Sequence, residues 1–497
     1  MTRPVCFVIP PSPFLLDERV FMSLGVLKIA AVLEQAGISV EVLDLSGIEN
    51  FEEAFKFHVR RTEATTFGFT ATTPQMPQAA KLARLLLEIR PDVKTILGGP
   101  HPTLTYAAYK KERARGIEGR ASRALSQLLE VYAVIVCGDG ERAIFAALED
   151  DAPRIIDADD PKSDLFLTNK SLNETPFPAR HLVDVESYHY QIDGERAVSL
   201  IAQLGCPFQC GFCGGRNSPM LRRVRTRTTE NIVLEMETLY HTYGVKGFMM
   251  YDDELNVNTQ MVSLMDAIGD KQHELGTAWK LRGFIKSQLF TDDQARAMYR
   301  AGFRWILTGF ESGSPRILEN INKRATREEN TRCVDIARRH GLKVKALMSI
   351  GHPGESPETL AETKDWLLSA KPDDFDVTII TPYPGSPYYD DAVEVDGSWV
   401  YSSRNGDTLF AREVNYFETA DYYKGDPDGG YTSYVWTPSL SRETIVLERD
   451  RLERDVRQTL GIQYNPSTPA QRFEHSMGVS ALPSRILRTS KTLQVAV

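Results

Sequence analysis

Leu204-Gly205-Cys206-Pro207-Phe208-Gln209-Cys210-Gly211-Phe212-Cys213-Gly214-Gly215 carries three cysteines within eight residues. They offer three thiolates to one metal centre and leave a fourth position without a cysteine. A structural zinc site is normally closed by four ligands, with a second pair further along the chain. No second cysteine pair exists here, because Cys6, Cys137 and Cys333 are isolated from one another. A cubane iron–sulfur cluster held by three cysteines has one iron free to bind something else. The expected centre is a [4Fe–4S] cluster on Cys206, Cys210 and Cys213; a broken zinc knuckle is the bland alternative.

These cysteines follow the first strand of an alternating series. Strands are predicted at 198–203, 245–251, 279–284, 305–309, 344–349 and 377–380, and helices at 229–243, 258–275, 291–301, 327–340 and 357–370. Six strand–helix units in about 190 residues suit a partial (β/α)6 TIM-like barrel better than a complete eight-unit one. Upstream, short apolar runs at 5–9, 40–45, 66–70, 95–97 and 131–136 alternate with helical patterns. Continuous apolar strands separated by helices imply a parallel, doubly wound Rossmann-like sheet. Its glycine-rich turns, Gly98-Gly99-Pro100-His101-Pro102 and Gly138-Asp139-Gly140-Glu141, fall after strands, where such sheets bind ligands. The α/β organisation read from this pattern is a first domain at 1–150, a linker at 151–197, a barrel at 198–395 and a small α-rich extension at 396–497. Residues 110–122 read as a surface insertion. The tail with Pro466, Pro469 and Pro483 reads as loosely ordered.

A chain of 497 residues is too long for one core. A net charge of −9, from 58 basic and 67 acidic residues, argues against a general nucleic-acid binder. Six cysteines make no disulfide framework, so a reducing cytoplasm is expected. No apolar stretch reaches the length of about 18 residues that a membrane span needs.

The cysteine spacing, with Phe212 before the last cysteine, resembles the radical S-adenosylmethionine (radical SAM) superfamily. The motifs at the barrel strand ends, Tyr251-Asp252-Asp253-Glu254, Gly309-Phe310-Glu311-Ser312-Gly313-Ser314, Gly351-His352-Pro353-Gly354-Glu355 and Pro382-Tyr383-Pro384-Gly385-Ser386-Pro387, resemble its subset with an N-terminal cobalamin-binding domain. So does the order of Ser23-Leu24-Gly25-Val26, Thr70-Ala71-Thr72-Thr73-Pro74 and the two glycine turns. The resemblance spans residues 1–395. It implies a [4Fe–4S] cluster, S-adenosylmethionine and cobalamin as cofactors. S-adenosylmethionine would be contacted by Phe212, Asp252, Asp253, Glu254, Arg282, Glu311 and Ser312. Cobalamin would be contacted by Ser12, Leu24, Thr70, Thr72, Thr73, Gln75, Gly98, Gly99, His101, Gly138, Gly140 and Glu141. Relatives that ligate cobalt with histidine carry Asp-x-His-x-x-Gly after the first strand; here that loop is Pro10-Pro11-Ser12-Pro13-Phe14. Cobalt is therefore expected without a histidine from that loop, with 70–75 beside its lower face and His101 near the nucleotide tail.

By resemblance the chain is a radical enzyme, favoured as a C-methyltransferase acting on an unactivated carbon of a small molecule of specialised metabolism. A 5′-deoxyadenosyl radical would abstract hydrogen and methylcobalamin would supply the methyl group. An external electron donor such as flavodoxin or ferredoxin would reduce the cluster. Ring formation, ring rearrangement or oxidation on the same cofactors is the first rival, and a non-catalytic cofactor-binding regulator the second. The sequence singles out no catalytic residue. The run Arg222-Arg223-Val224-Arg225-Thr226-Arg227 is open between an anion site and a solvated face, and the tyrosines of 416–436 between a substrate pocket and packing.

Overall fold

The computed structural model describes residues 3–423, 430–463, 473–475 and 481–490. The first sheet contains β1 (Val5–Ile9), β2 (Val40–Asp44), β3 (Thr66–Thr70), β4 (Lys94–Gly98), β5 (Val134–Gly138) and β6 (Ile155–Ala158). All five residues of β1 are buried, because helices cover both faces of the sheet. Val5, Phe7 and Ile9 pack beneath α1 (Leu24–Gln35), while Cys6 and Val8 face the side that holds α2 (Phe51–Val59) and α3 (Met76–Ile89). The parallel order β2-β1-β3-β4-β5-β6 reverses direction at β1, which opens a crevice between the carboxyl ends of β1 and β3.

The second sheet runs β15-β14-β13-β12-β11-β8-β7: β7 is Gln191–Ile192, β8 Glu195–Leu200, β11 Gly247–Met250, β12 Lys280–Phe284, β13 Phe303–Glu311, β14 Lys343–Ile350 and β15 Asp374–Ile379. Six strands are parallel and β7 closes one edge as an antiparallel hairpin with β8, giving the half-barrel expected from the sequence. Local chemistry sets the helix ends. Thr228 accepts from the Asn231 N–H to start the helix Thr229–Tyr243, and Gly244 in the left-handed region stops it. Ser356 and Thr359 form a capping box that starts Pro357–Ala370. A small pair, β9 (Gln203–Leu204) and β10 (Arg225–Thr226), brackets the cysteine loop.

Four departures from the sequence reading stand out. The stretch 110–122 is no insertion: it is the end of α4 (Pro100–Ala114) and the start of α5 (Arg120–Val131), packed on each other. The stretch read as linker supplies β6 to the first sheet. The extension, read as α-rich, is partly β: from the end of the stretch read as barrel, β16 (Val393–Val395), β17 (Ser398–Ser402), β18 (Thr408–Ala411) and β19 (Val435–Trp436) form an antiparallel sheet before the helix Arg442–Leu460. Finally β20 (Leu487–Thr489), in the tail read as loose, pairs antiparallel with β2. Pro466 and Pro469 lie outside the described residues.

Candidate functional site

Two rims face each other. On the first sheet the loops after β1, β3, β4 and β5 interlock. The Gln75 amide donates to Ser12 Oγ at 2.8 Å, and Gln75 closes a capping box with Thr72. The His101 N–H donates to Ala71 O at 3.0 Å, and its ring Nδ1 lies 3.2 Å from Thr73 Oγ1. His101 is 2% exposed, and burial pushes its pKa down to about 4, so the ring is neutral. The Thr103 hydroxyl accepts from the Gly138 N–H at 2.9 Å. Gly99 sits at φ +98°, and a Cβ there would stand 2.7 Å from Thr70 Oγ1, whereas one on Gly98 would meet nothing within 4 Å. Backbone therefore lines open space above this rim, as a cradle for a large planar cofactor requires. Leu24 is buried at the start of α1, and α6 (Gly140–Leu148) begins beside it with Gly140 against Ile29 and Glu141 near Lys28.

The cysteine loop is held by backbone. The Cys206 N–H donates to Leu221 O, the Gly211 N–H to Ile321 O and the Arg216 N–H to Gly385 O, at 2.8–3.0 Å. Gly205, at φ +87°, lies so close to Arg223 that a Cβ would meet its carbonyl oxygen at 2.1 Å. As thiols, Cys206 and Cys213 are raised by burial, Cys213 to about 12, so ligation must displace a proton that the fold alone retains. Three cysteines on one loop, with the other three buried elsewhere, fit a three-thiolate iron–sulfur cluster. Phe212 packs edge-on against His352 at 5.3 Å and against Ile317, Leu318 and Ile321.

The carboxylates expected around S-adenosylmethionine divide their work. Asp252 Oδ1 accepts from the Ala202 and Gln203 N–H groups, and Asp253 accepts from the Gly205 N–H at 2.9 Å, so both hold the start of the cysteine loop. Asp252 Oδ2 and Gln203 Oε1 are buried and, among the described residues, have no hydrogen-bond partner. Two orphaned acceptors at the foot of the loop fit a donor group on a bound ligand. Glu254 is half-buried, and burial pushes its carboxyl up to about 7. Glu311 has φ +65° at a bulge in β13. Its Oε1 accepts from Lys323 Nζ at 2.9 Å and its Oε2 from Ser349 Oγ at 2.8 Å. Burial opposes ionisation of Glu311, but the Lys323 ammonium outweighs it and holds the carboxyl below its ordinary value. Ser312 turns away, its Oγ 2.9 Å from Thr363 Oγ1.

Two lysines escape the sequence reading. Lys286 and Lys323 are 2% and 4% exposed, and Lys286 Nζ donates to Lys323 O at 3.3 Å and sits 4.6 Å over the Phe208 ring. Both lie near Cys210, Glu254 and Glu311. The available signal was a basic residue just past the carboxyl end of β12. Arg282 is not brought to this group. It pairs across the sheet with Trp305, and Glu311 lies beyond Trp305 on the same strand by roughly 17 Å of strand rise. Of the arginine run, Arg225 is buried on Asp139 and Arg227 on Glu235, so these two are not open to an anion, while Arg223 is exposed.

The rims meet through that Arg225–Asp139 pair, through Phe21 against Tyr190 and Tyr251 (4.8 and 5.2 Å), and through His101 against Tyr416. A B12 binding domain model matches residues 18–129, and a Radical SAM superfamily model matches residues 200–367. The chain is a radical SAM enzyme with an N-terminal B12-binding domain, and its cofactors are a [4Fe–4S] cluster, S-adenosylmethionine and cobalamin. It is similar to an uncharacterized methyltransferase of Pyrococcus horikoshii, with 25% identity over 78% of this chain and 83% of the relative. It is also similar to the anaerobic magnesium-protoporphyrin IX monomethyl ester cyclase of Rubrivivax gelatinosus, with 24% identity over 75% of this chain and 66% of the relative. The radical SAM methyltransferase TsrM from Kitasatospora setae shares its fold, with TM-score 0.61, 17% identity and 91% of each chain covered. Among the described residues no helix is long and apolar enough to cross a membrane.

Proposed function

We propose that this enzyme transfers a methyl group to a carbon of a small molecule held between the two rims. The observation that carries the reading is their apposition: the loops over the first sheet touch the interior face of the half-barrel. Cys206, Cys210 and Cys213 hold the cluster. Lys286 would pair with the carboxylate of S-adenosylmethionine and Asp252 Oδ2 with its amino group, a reading supported by the buried Lys286 ammonium and the unpartnered Asp252 Oδ2; Glu254 and Glu311 would border the same ligand. Glu311, fixed by Lys323 and Ser349, offers little rotamer freedom to lose on binding. Residues 70–75 and 98–101 form the floor of the cobalamin site, with Gly138, Gly140 and Glu141 beside its tail. When bound, these cofactors supply hydrogen abstraction and a transferable methyl group. The chain's part is to hold them apart on two rigid sheets, orient the substrate between them and exclude water. An external one-electron donor such as flavodoxin or ferredoxin reduces the cluster.

Likeness to methyltransferases supports this reading, and TsrM has been seen with tryptophan as its substrate. Likeness to the Rubrivivax cyclase favours a second reading, ring formation on the same scaffold. Product analysis separates them. Methyl transfer should yield S-adenosylhomocysteine, 5′-deoxyadenosine and methylated product near one to one to one. Deoxyadenosine with neither of the others would favour cyclisation.

A further inference from the structure

The interior face of the half-barrel carries a charged group that neither cofactor claims. Arg282 points inward from the middle of β12, level with Met249 and Trp305. Its Nη1 donates to Tyr190 Oη at 3.3 Å, and its guanidinium lies 5.6 Å over the Trp305 ring. Trp305 is itself oriented by an Nε1 hydrogen bond to Asp193 at 3.2 Å. Nothing comparable holds the other edge of the guanidinium. Nε is buried without a hydrogen-bond partner, and among the described residues Arg282 makes no salt bridge. The neighbouring Lys345 already pairs with Asp374 and Asp376, at 3.0 and 2.7 Å. Two residues nearer the rim, Phe284 and Tyr251 meet edge to face at 6.2 Å, and Phe21 covers Tyr251 from the cobalamin domain. Aromatic rings thus stand between the rim and the Arg282 guanidinium, and Lys343 lies 5.1 Å over the same Trp305 ring.

We propose that the substrate is an aromatic carboxylic acid and that Arg282 clamps its carboxylate through the Nε and Nη2 edge. That edge presents two parallel N–H donors, which match the two oxygens of a carboxylate. A planar carboxylate matches this flat two-donor edge better than a tetrahedral phosphate does. Arg282 is then a specificity-determining residue: it fixes the depth at which the ring system stands and so which carbon faces the rim. The assignment rests on the reading that the substrate lies between the two rims, but its test is read by binding alone.

Benzoate, 2-naphthoate and indole-3-propionate, each beside its primary amide, are titrated by ligand-observed NMR into chain loaded with cluster and cobalamin. At least one acid should bind tenfold or more tightly than its amide, the size expected for a charge-assisted hydrogen bond. Arg282→Met should abolish that preference while iron content, cobalamin content and S-adenosylmethionine binding stay at wild-type levels. Arg282→Lys, which keeps the charge and loses the fork, should keep a reduced preference and guards against a misfolded Met variant. Equal binding of every acid and its amide by the wild type, or an undiminished preference in Arg282→Met, overturns the assignment. Neither result bears on whether the reaction is methyl transfer, which the product ratio decides.

Discussion

At the scale of single residues, burial sets protonation. His101 is neutral because its ring has left water for a contact with Thr73 and Tyr416. Its folded pKa of about 4 lies below the ordinary histidine value of about 6.5. As pH falls through that window the unfolded chain takes up a proton and the folded chain does not. Stability is therefore lost between about pH 6.5 and 4, by roughly 3 kcal/mol for this group at full extent. His352, also pushed down to about 4 by burial, adds a loss of the same sign. His101→Gln should flatten the fall in melting temperature across this range relative to wild type, measured by circular dichroism. Parallel curves for the two proteins would show that His101 is protonated in the fold or is equally protected when unfolded.

At the scale of elements, the cluster loop depends on groups that ligate nothing. Asp252 Oδ1 satisfies two buried backbone N–H groups at the end of β8. Leaving each unpaired costs about 1–3 kcal/mol, enough to let the loop depart from one geometry. Asp252→Ala should retain less iron and sulfide per chain after challenge with a chelator, while Cys210→Ala should retain none. Iron held by Asp252→Ala as firmly as by wild type would show that the loop needs no such support. The cysteines were legible because their spacing is covalent and local. The helices Thr229–Tyr243 and Pro357–Ala370 were legible because their caps lie in the same few residues as their apolar stripes. Lys286 and Lys323 were not: a lysine just past the end of a strand or a short helix reads as a solvated surface group until a distant segment buries it. The roles of Asp252 and Ser312 were also hidden, since both are set by partners in other segments, the Ala202 and Gln203 backbone and Thr363. The strand Leu487–Thr489 has no period to detect in three residues, and only β2 makes it a strand.

At the scale of the whole molecule, two sheets of seven strands each present a carboxyl rim to the other. The loop after β1 carries no histidine, and His101, the histidine on the cobalamin rim, is committed to Thr73. The purified chain should bind about one cobalamin per molecule, and the cob(II)alamin form should lack the nitrogen hyperfine pattern of a protein imidazole in its paramagnetic resonance spectrum. That pattern, lost on replacing His101, would require the loop after β4 to rearrange on binding. The pairing of β20 with β2 has a consequence in time. During synthesis β2 leaves the ribosome long before its partner, and at about 5–20 residues per second the delay is roughly 20–90 s. Through that interval the nascent sheet exposes a bare row of backbone donors and acceptors, the kind of margin on which strands from other chains dock. Among the described residues, the latest strand to be made is thus the one that ends the vulnerability of the first domain to form.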